Sequence, residues 1–200
     1  MKRVRNMLKV MILFPCIFLL FSCNPMEKET DSNTMLIIES LTGKDSQGNT
    51  VNFYESDVVK VDLDSGAETI HADAAAVTLR ARMLDPNTLT LPSEYNNIEI
   101  YRYTVKYFRS DGQNIEGTGI PYSFEGYLSA RIDVDNTLEL SVIIVRAIAK
   151  AETPLLELKD GRGDGVLTIT ARVDIYGRDL RDKIVQATGY LTIYFANYAD

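Results

Sequence analysis

The chain has 200 residues, of which 28 are Asp or Glu, 21 are Lys or Arg and one is His, giving a formal net charge of −7. Four of the basic residues and none of the acidic ones precede residue 23, so the remainder carries 17 basic against 28 acidic side chains, a formal charge of −11. A surface of that sign repels phosphate backbones, and the sequence contains no basic cluster that would compensate, so nucleic acid is excluded as a partner.

The first 22 residues have the pattern of an export signal. Basic residues occupy positions 2, 3, 5 and 9, and an apolar run of about a dozen residues follows over positions 10–21. A membrane-spanning helix needs roughly 20 apolar residues, so this run is too short to cross a bilayer unaided. The arrangement predicts a signal peptide over residues 1–22 that is removed on export.

The end of this segment, Leu20-Phe21-Ser22-Cys23, resembles the lipobox of bacterial lipoproteins. The resemblance implies that Cys23 receives a diacylglyceryl thioether, that the preceding peptide is removed and that the new amino group is acylated. Two or more acyl chains anchor a protein stably, whereas one binds only marginally. Asn24 resembles an outer-membrane sorting signal, so a lipid-anchored protein facing the periplasm or the cell surface is expected. The alternative is an ordinary secretory signal that leaves Cys23 as a free thiol.

The chain after the signal is expected to comprise a tether and one domain. Residues 23–34 are largely polar and without apolar periodicity, which predicts a lipidated cysteine followed by a flexible tether. Residues 35–200 are long enough to bury one substantial core. Cys16 lies inside the signal, so the exported chain holds one cysteine and no internal disulfide.

Apolar patterning predicts strands along most of the domain. Three short runs near its start have strand propensity and are separated by turn-forming residues: 35–41, 51–54 and 58–63. Three later segments alternate apolar and polar residues with a period of two, which is typical of strands with one buried face: 77–83, 98–108 and 127–134.

Two of the predicted strands carry specific expectations about burial. In segment 98–108, one face is expected to pack into the core, and its members are Tyr101, Tyr103, Val105 and Tyr107. Segment 138–148 is apolar on both faces, which predicts a central strand covered on both sides. A helix of similar length is the alternative, and the β-branched residues of the segment argue against it.

The last part of the chain predicts an antiparallel hairpin. Segments 166–176 and 184–198 alternate, and the mostly polar loop 177–183 lies between them. Residues 173–179, 185–189 and 191–193 resemble the closing hairpin of bacterial immunoglobulin-like domains. Together with the strand spacing and the lack of a long amphipathic helix, they predict an all-β fold, an immunoglobulin-like antiparallel β-sandwich of about seven to nine strands.

The sequence offers few groups for catalysis or metal binding. His71 is the only histidine and no Gly-x-Ser-x-Gly motif occurs, so we expect a surface histidine rather than a catalytic base. The same residue count excludes zinc sites of the Cys/His type, and without a Cys-x-x-Cys-His motif no covalent haem is expected, so we predict no cofactor. Two acidic segments could bind calcium, loop 160–165 and the pair Asp62 and Asp64, but a solvated turn is the favoured interpretation of each.

One row of side chains is a candidate binding surface. On the face of the last strand opposite its buried residues lie Tyr190, Thr192, Tyr194 and Tyr198. Tyrosine is favoured at interfaces because it supplies apolar area and one hydrogen-bonding group at low entropic cost. A last strand can also lie at a sheet edge, open to pairing with a partner strand. The alternative is that Tyr and Thr simply suit an exposed sheet face.

Together these features predict a non-enzymatic, lipid-anchored envelope protein that acts as an interaction or assembly module. Its last hairpin is expected to contact another envelope protein. An alternative is a lipoprotein that binds a glycan or a calcium-dependent ligand. A hydrolase with two catalytic carboxylates ranks third, because sugar sites usually present large aromatic platforms and the chain has no Trp.

Overall fold

A computed structural model describes residues 32–62, 64–85, 92–159 and 165–198 of the chain. The predicted signal peptide, the lipidation site Cys23, most of the tether and most of the acidic loop 160–165 lie outside these ranges. The strands in chain order are β1 (Thr34–Lys44), β2 (Thr50–Val51), β3 (Phe53–Asp57), β4 (Lys60–Val61), β5 (Glu68–Thr69), β6 (Asp73–Met83), β7 (Ile98–Phe108), β8 (Phe124–Ile132), β9 (Thr137–Val145), β10 (Leu167–Asp179) and β11 (Ile184–Ala196). The helical elements are a 3₁₀ turn (Glu94–Asn96), α1 (Ala147–Lys150) and α2 (Leu155–Lys159). Within the described ranges, no helix is long and apolar enough to cross a membrane.

The strands form two principal sheets that share one core. The four-stranded sheet has the order β2-β1-β6-β9, the five-stranded sheet has the order β3-β11-β10-β7-β8, and β4 and β5 form a separate ribbon. Buried side chains of both principal sheets belong to a single hydrophobic cluster. The predicted all-β sandwich is confirmed: eight of the described strands have five or more residues, and three two-residue strands add to them.

Each sheet combines strands that are distant in the chain. One sheet joins the first long strand to β6 and β9, and the other joins the last hairpin to β7 and β8. One pairing departs from the antiparallel prediction, because β3 runs parallel to residues 192–196 of β11. The chain therefore changes sheets between β1 and β3.

Alternation along the strands buries the side chains as the sequence predicts in β6 and in the last hairpin. Val77, Leu79 and Ala81 of β6 are fully buried, and so are Ile169 and Val173 of β10. Full burial of an aliphatic side chain the size of Val or Leu stabilises a fold by about 1.5–3 kcal/mol. The two sheets are therefore held together mainly by these alternating apolar rows.

Strand β7 departs from its predicted pattern at Tyr101. The strand buries Ile98 and Ile100 before this residue and Tyr103 and Val105 after it, so the alternation changes phase there. Against β10, the residues on either side of Tyr101 pair with two consecutive residues, which makes Tyr101 the extra residue of a β-bulge. The prediction that Tyr101 faces the core was wrong, and this side chain is half-buried.

Segment 138–148 is not a central strand. β9 ends at Val145, forms one edge of the four-stranded sheet and leads into α1, while Ile143 is 41% exposed. Two hydroxyls from the other sheet bind its backbone: the Ile143 N–H donates to Tyr103 at 3.2 Å, and Tyr107 donates to the Ile144 carbonyl at 2.6 Å. The prediction was wrong because only one face of β9 packs against the core. The two tyrosine hydroxyls also satisfy hydrogen-bonding groups of its backbone.

The domain begins earlier than the sequence predicts. Ser32 and Thr34, which were assigned to the tether, are buried. The Ser32 hydroxyl donates to Asp179 Oδ2 at 2.7 Å, and the Thr34 hydroxyl donates to the Asn96 carbonyl at 2.9 Å. Of the predicted strand 58–63, residue 63 lies outside the described ranges, and among the described residues only the two of β4 form a strand.

Candidate binding surfaces

The outer face of the five-stranded sheet carries exposed tyrosines and ordered arginines. Cross-strand register places Tyr127, Arg102 and Tyr176 side by side on β8, β7 and β10, and it places Tyr190 of β11 beside Arg172 of β10. Tyr127 is 74% exposed and Tyr190 is 62% exposed. Since neighbouring strands lie about 4.8 Å apart, the five residues cover a patch about 15–20 Å across. We refer to these five residues as the sheet face.

Arg102 is held between an aromatic ring and a carboxylate. Its guanidinium carbon lies 4.4 Å from the centroid of the Tyr176 ring, and its Nη1 lies 3.3 Å from Glu125 Oε2. The Tyr127 hydroxyl donates to the other oxygen of Glu125 at 2.5 Å, and this hydrogen bond raises the pKa of Tyr127. The side chains are therefore oriented before any partner arrives, which reduces the entropy lost on binding.

Arg172 is ordered by a buried carboxylate. Asp174 is 2% exposed although it belongs to the outward row of β10, and its Oδ1 accepts from Arg172 Nε at 3.0 Å and from the Thr188 hydroxyl at 2.6 Å. The hydrogen bond and the charge of Asp174 raise the pKa of Arg172. The guanidinium group is thereby fixed beside Tyr190, its partner in register.

The part of this sheet surface that β7, β8 and β10 form has a local basic excess, although the exported chain as a whole is acidic. Outward positions of the described strands β7, β8 and β10 hold five basic side chains: Arg102, Lys106, Arg131, Arg172 and Arg178. The acidic side chains at such positions are Glu99, Glu125 and Asp174. At the other edge of the same sheet, outward positions of β3 add Glu55 and Asp57, so the basic excess is confined to β7, β8 and β10. Sequence reasoning missed this local basic excess because the residues come from three separate strands and are adjacent only after pairing.

The predicted tyrosine row is divided between two surfaces. Tyr190 and the half-buried Thr192 lie on the outer side of β11, as expected. Tyr194 is half-buried against Phe53, with ring centroids 5.6 Å apart at 72°. Tyr198 lies beyond the end of β11, and its hydroxyl donates to the Tyr194 carbonyl at 3.2 Å. The expectation of an open edge on the last strand was wrong for residues 192–196, because β3 pairs with them.

A cavity of about 350 Å³ opens at the end of the sandwich where β11 finishes and β6 begins. Its walls come from the turn after β1, from β3, from the residues that precede β6 and from α1. Four carboxylates line it: Asp45, Glu55, Asp57 and Asp73. Three lysines and two tyrosines also line it: Lys44, Lys60, Lys150, Tyr54 and Tyr198. We refer to it as the end cavity.

A buried ion pair forms part of the lining of the end cavity. Lys150 Nζ donates to Asp73 Oδ1 at 2.8 Å and to the Asp57 carbonyl at 2.7 Å, and the Ser56 hydroxyl donates to Asp73 Oδ2 at 2.6 Å. The side chain of Lys150 is 2% exposed. Burial raises the pKa of Asp73, and the charge of Lys150 opposes that rise. The pair connects α1 to the start of β6.

The two tyrosines of the end cavity keep their protons at neutral pH. Burial and the negative charge of Asp73 raise the pKa of Tyr54 to about 12. Burial and the charges of Glu55 and Asp57 likewise raise the pKa of Tyr198 to about 12. Both hydroxyls are therefore neutral. The Tyr198 hydroxyl already donates its proton to the Tyr194 carbonyl, so its oxygen is left to accept a hydrogen bond.

Ser56 and His71, which lie at the end cavity, do not form a pair of nucleophile and base. Ser56 is fully buried and donates its proton to Asp73, while His71 is exposed on the lining. In the described ranges, no group of three or more His, Cys, Asp and Glu side chains could hold a metal ion. Asp62, one of the calcium candidates, accepts the backbone N–H groups of Asp64 and Ser65 and so closes its own turn.

The fold and these two surfaces define an all-β sandwich protein with an open, partly basic sheet face and a polar cavity at one end. In comparisons with known proteins, no family model matches the chain and no curated protein matches it. The functional inference therefore rests on the residues of this chain.

Proposed function

We propose that this protein is a non-enzymatic module of the cell envelope, anchored to the outer membrane by acyl chains on Cys23, that docks another envelope protein through its sheet face. The observation that carries the proposal is the set of tyrosines and arginines already oriented on an open sheet. Tyr and Arg are enriched in protein interfaces and dominate their binding energy. The anchor is supported by the lipobox resemblance of residues 20–23.

The charge of the sheet face on β7, β8 and β10 favours a partner surface that is acidic and partly apolar. Arginine presents planar donors that match a carboxylate, and the exposed rings of Tyr127 and Tyr190 supply apolar contact area. Five basic against three acidic side chains on the described strands β7, β8 and β10 attract such a surface, although the exported chain as a whole is acidic. Complementary charge speeds association and selects among partners.

Cross-linking in native membranes, followed by mass spectrometry, tests the docking surface. The wild-type chain is compared with a Tyr127→Ala and Tyr190→Ala double variant, both of whose sites are exposed. Ile143→Ala is the matched control, because it removes an exposed apolar side chain from the other sheet. We expect a protein partner cross-linked to the wild type and the control and a yield at least about tenfold lower for the double variant, equivalent to about 1.4 kcal/mol.

Two outcomes would overturn the docking proposal. One is that no protein partner is cross-linked to the wild type. The other is that the same partner is retained by the double variant at an unchanged yield. Equal far-ultraviolet circular dichroism spectra of the three proteins confirm that the comparison concerns folded chains.

Replacement of Cys23 by alanine tests the anchor separately. We expect the wild type in the outer-membrane fraction, with acyl groups on its N-terminal peptide, and Cys23→Ala outside that fraction. Two or more acyl chains make the attachment stable, so the change in distribution should be nearly complete. An unmodified Cys23 thiol in the mature wild-type protein would contradict the anchor without bearing on the sheet face.

A further inference from the structure

We infer that the end cavity binds a small saccharide, a function separate from docking at the sheet face. Its volume of about 350 Å³ lies near the lower end of the range for small-ligand sites, roughly 300–1,000 Å³, and accommodates one or two sugar rings. Polar groups converge on it from several segments of the chain rather than from one turn. The five residues of the sheet face do not line it.

The charges around the end cavity nearly cancel. Four carboxylates, from Asp45, Glu55, Asp57 and Asp73, stand against the ammonium groups of three lysines. A phosphate would meet the four carboxylates and a metal ion would meet the three ammonium groups, so a strongly charged ligand of either sign is disfavoured. A hydroxyl group can donate to a carboxylate and accept from an ammonium at the same time. A ligand built mainly of hydroxyl groups therefore suits this lining.

Several groups that line the end cavity retain hydrogen-bonding capacity. One oxygen of Glu55 accepts the Ser46 N–H at 2.7 Å, and its other oxygen makes no hydrogen bond with a described residue. Lys60 is exposed and forms no ion pair with a described residue. Asp45 differs, because the N–H groups of Gln47 and Asn49 occupy its carboxylate. Glu55 is therefore an available acceptor, and the exposed Lys60 and Lys44 are available donors to a saccharide.

The interior of the cavity combines fixed polar groups with aromatic rings. Lys150 and Asp73 hold each other at 2.8 Å, so their remaining hydrogen-bonding directions are set before a ligand enters. Tyr198 is half-buried, so its ring can pack against the C–H face of a sugar and its hydroxyl oxygen can accept from the sugar edge, whereas Tyr54 is buried in the core and lines the cavity at its base. The chain has no Trp, and the Tyr198 ring supplies the aromatic surface in its place.

The full-length protein, purified in detergent micelles, can be screened on an array of neutral, amino and acidic mono- to tetrasaccharides. A second array of amino acids and dipeptides tests the competing class of small zwitterionic ligands. The affinity for a bound saccharide is then measured by calorimetry for the wild type, Lys60→Ala and Glu55→Gln, with Tyr190→Ala as a control on the sheet face. We expect each cavity variant to weaken binding at least fivefold and the control to leave it unchanged.

Several results would overturn the inference. These are the failure of every saccharide to bind at millimolar concentration, a preference for the amino acid and dipeptide array, and binding that persists in both cavity variants. Loss of saccharide binding in Tyr190→Ala would also overturn it, because the site would then lie on the sheet face. Lys44→Ala, at another exposed lining position, replaces either cavity variant if that variant fails to fold. Vesicles that display the bound sugar as a lipid headgroup separate a membrane-borne ligand from a soluble one, and either source supports the inference.

Discussion

The ion pair between Lys150 and Asp73 is expected to be the most sensitive polar contact of the domain. Their side chains are 2% and 10% exposed, so neither charge regains water without local opening. Lys150→Met keeps an unbranched apolar side chain and removes the ammonium, which leaves the Asp73 carboxylate buried beside Ser56. Removing one member of a buried pair costs about 3–5 kcal/mol. In a domain of this size, that loss lowers the Tm by about 6–20 °C.

The loss of stability in Lys150→Met should shrink as the pH falls. Burial raises the pKa of Asp73 above its ordinary value of 3.8, and without Lys150 the pKa rises further. Between the ordinary and the raised pKa, the folded state holds a proton that the unfolded state has released, so stability falls as pH rises through this window. Below this pH window Asp73 is protonated, which restores part of the stability lost in Lys150→Met. The Lys150→Met and Asp73→Asn double variant should therefore be more stable at neutral pH than Lys150→Met alone.

Urea unfolding followed by circular dichroism, at neutral pH and at about pH 4.5, measures these differences. Lys44→Met is the matched control, because Lys44 is exposed and its replacement should change stability by less than about 0.5 kcal/mol. An unchanged midpoint for Lys150→Met would refute the reasoning. So would a double variant that gains nothing over Lys150→Met, because the uncompensated charge would then not be the source of the loss.

Three further perturbations test the packing of the sandwich. Tyr107→Phe removes the donor to the Ile144 carbonyl and should destabilise the fold by about 1–3 kcal/mol. Hydrogen exchange of the β9 amides should become faster. Unchanged exchange in β9 would contradict the role of this hydroxyl at the sheet edge. Gly43→Ala would place a Cβ 2.0 Å from the carbonyl oxygen of Phe53, so thermal melting should show a loss of about 1–3 kcal/mol in the free energy of unfolding. An unchanged Tm would mean that β1 and β3 move apart at little cost. The pKa of Tyr54 is raised from 10.0 to about 12, so the contribution of its protonated hydroxyl to stability is present below pH 10 and is lost as pH rises towards 12. Tyr54→Phe should remove this contribution from the alkaline unfolding transition. An identical alkaline transition in the variant would contradict the role of Tyr54.

The strands with a strict period of two could be predicted from the sequence because one of their faces is buried along its whole length. The apolar residues of β6 and of the last hairpin follow this rule. At Tyr101 the same rule failed, because a tyrosine suits either face and so conceals the bulge at which the alternation changes phase. β9 was misjudged for a different reason: its apolar content does not reveal that the strand lies at an edge.

The candidate sites were less predictable than the strands because they are assembled from distant segments. Tyr190 could be selected from its position on the last strand, but the arginines that accompany it lie on β7 and β10 and become its neighbours through strand pairing. Asp73 and Lys150 are 77 positions apart and belong to no sequence motif. The sequence places Tyr198 in the tyrosine row because it lies an even number of residues after Tyr190. β11 ends at Ala196, before it reaches Tyr198.

The parallel pairing of β3 with β11 has a consequence for how the molecule is made. Phe53 pairs in register with Thr192, so the five-stranded sheet closes only when the final thirteen-residue strand is present. Contacts between such distant parts of a chain form slowly, because a long loop must close first. If the chain is exported N-terminus first, β3 and β10 keep unpaired edges until β11 arrives, and unpaired edges are templates for aggregation. β11 thus completes the five-stranded sheet, and a chain that lacks it exposes two β-edges to chaperones and proteases.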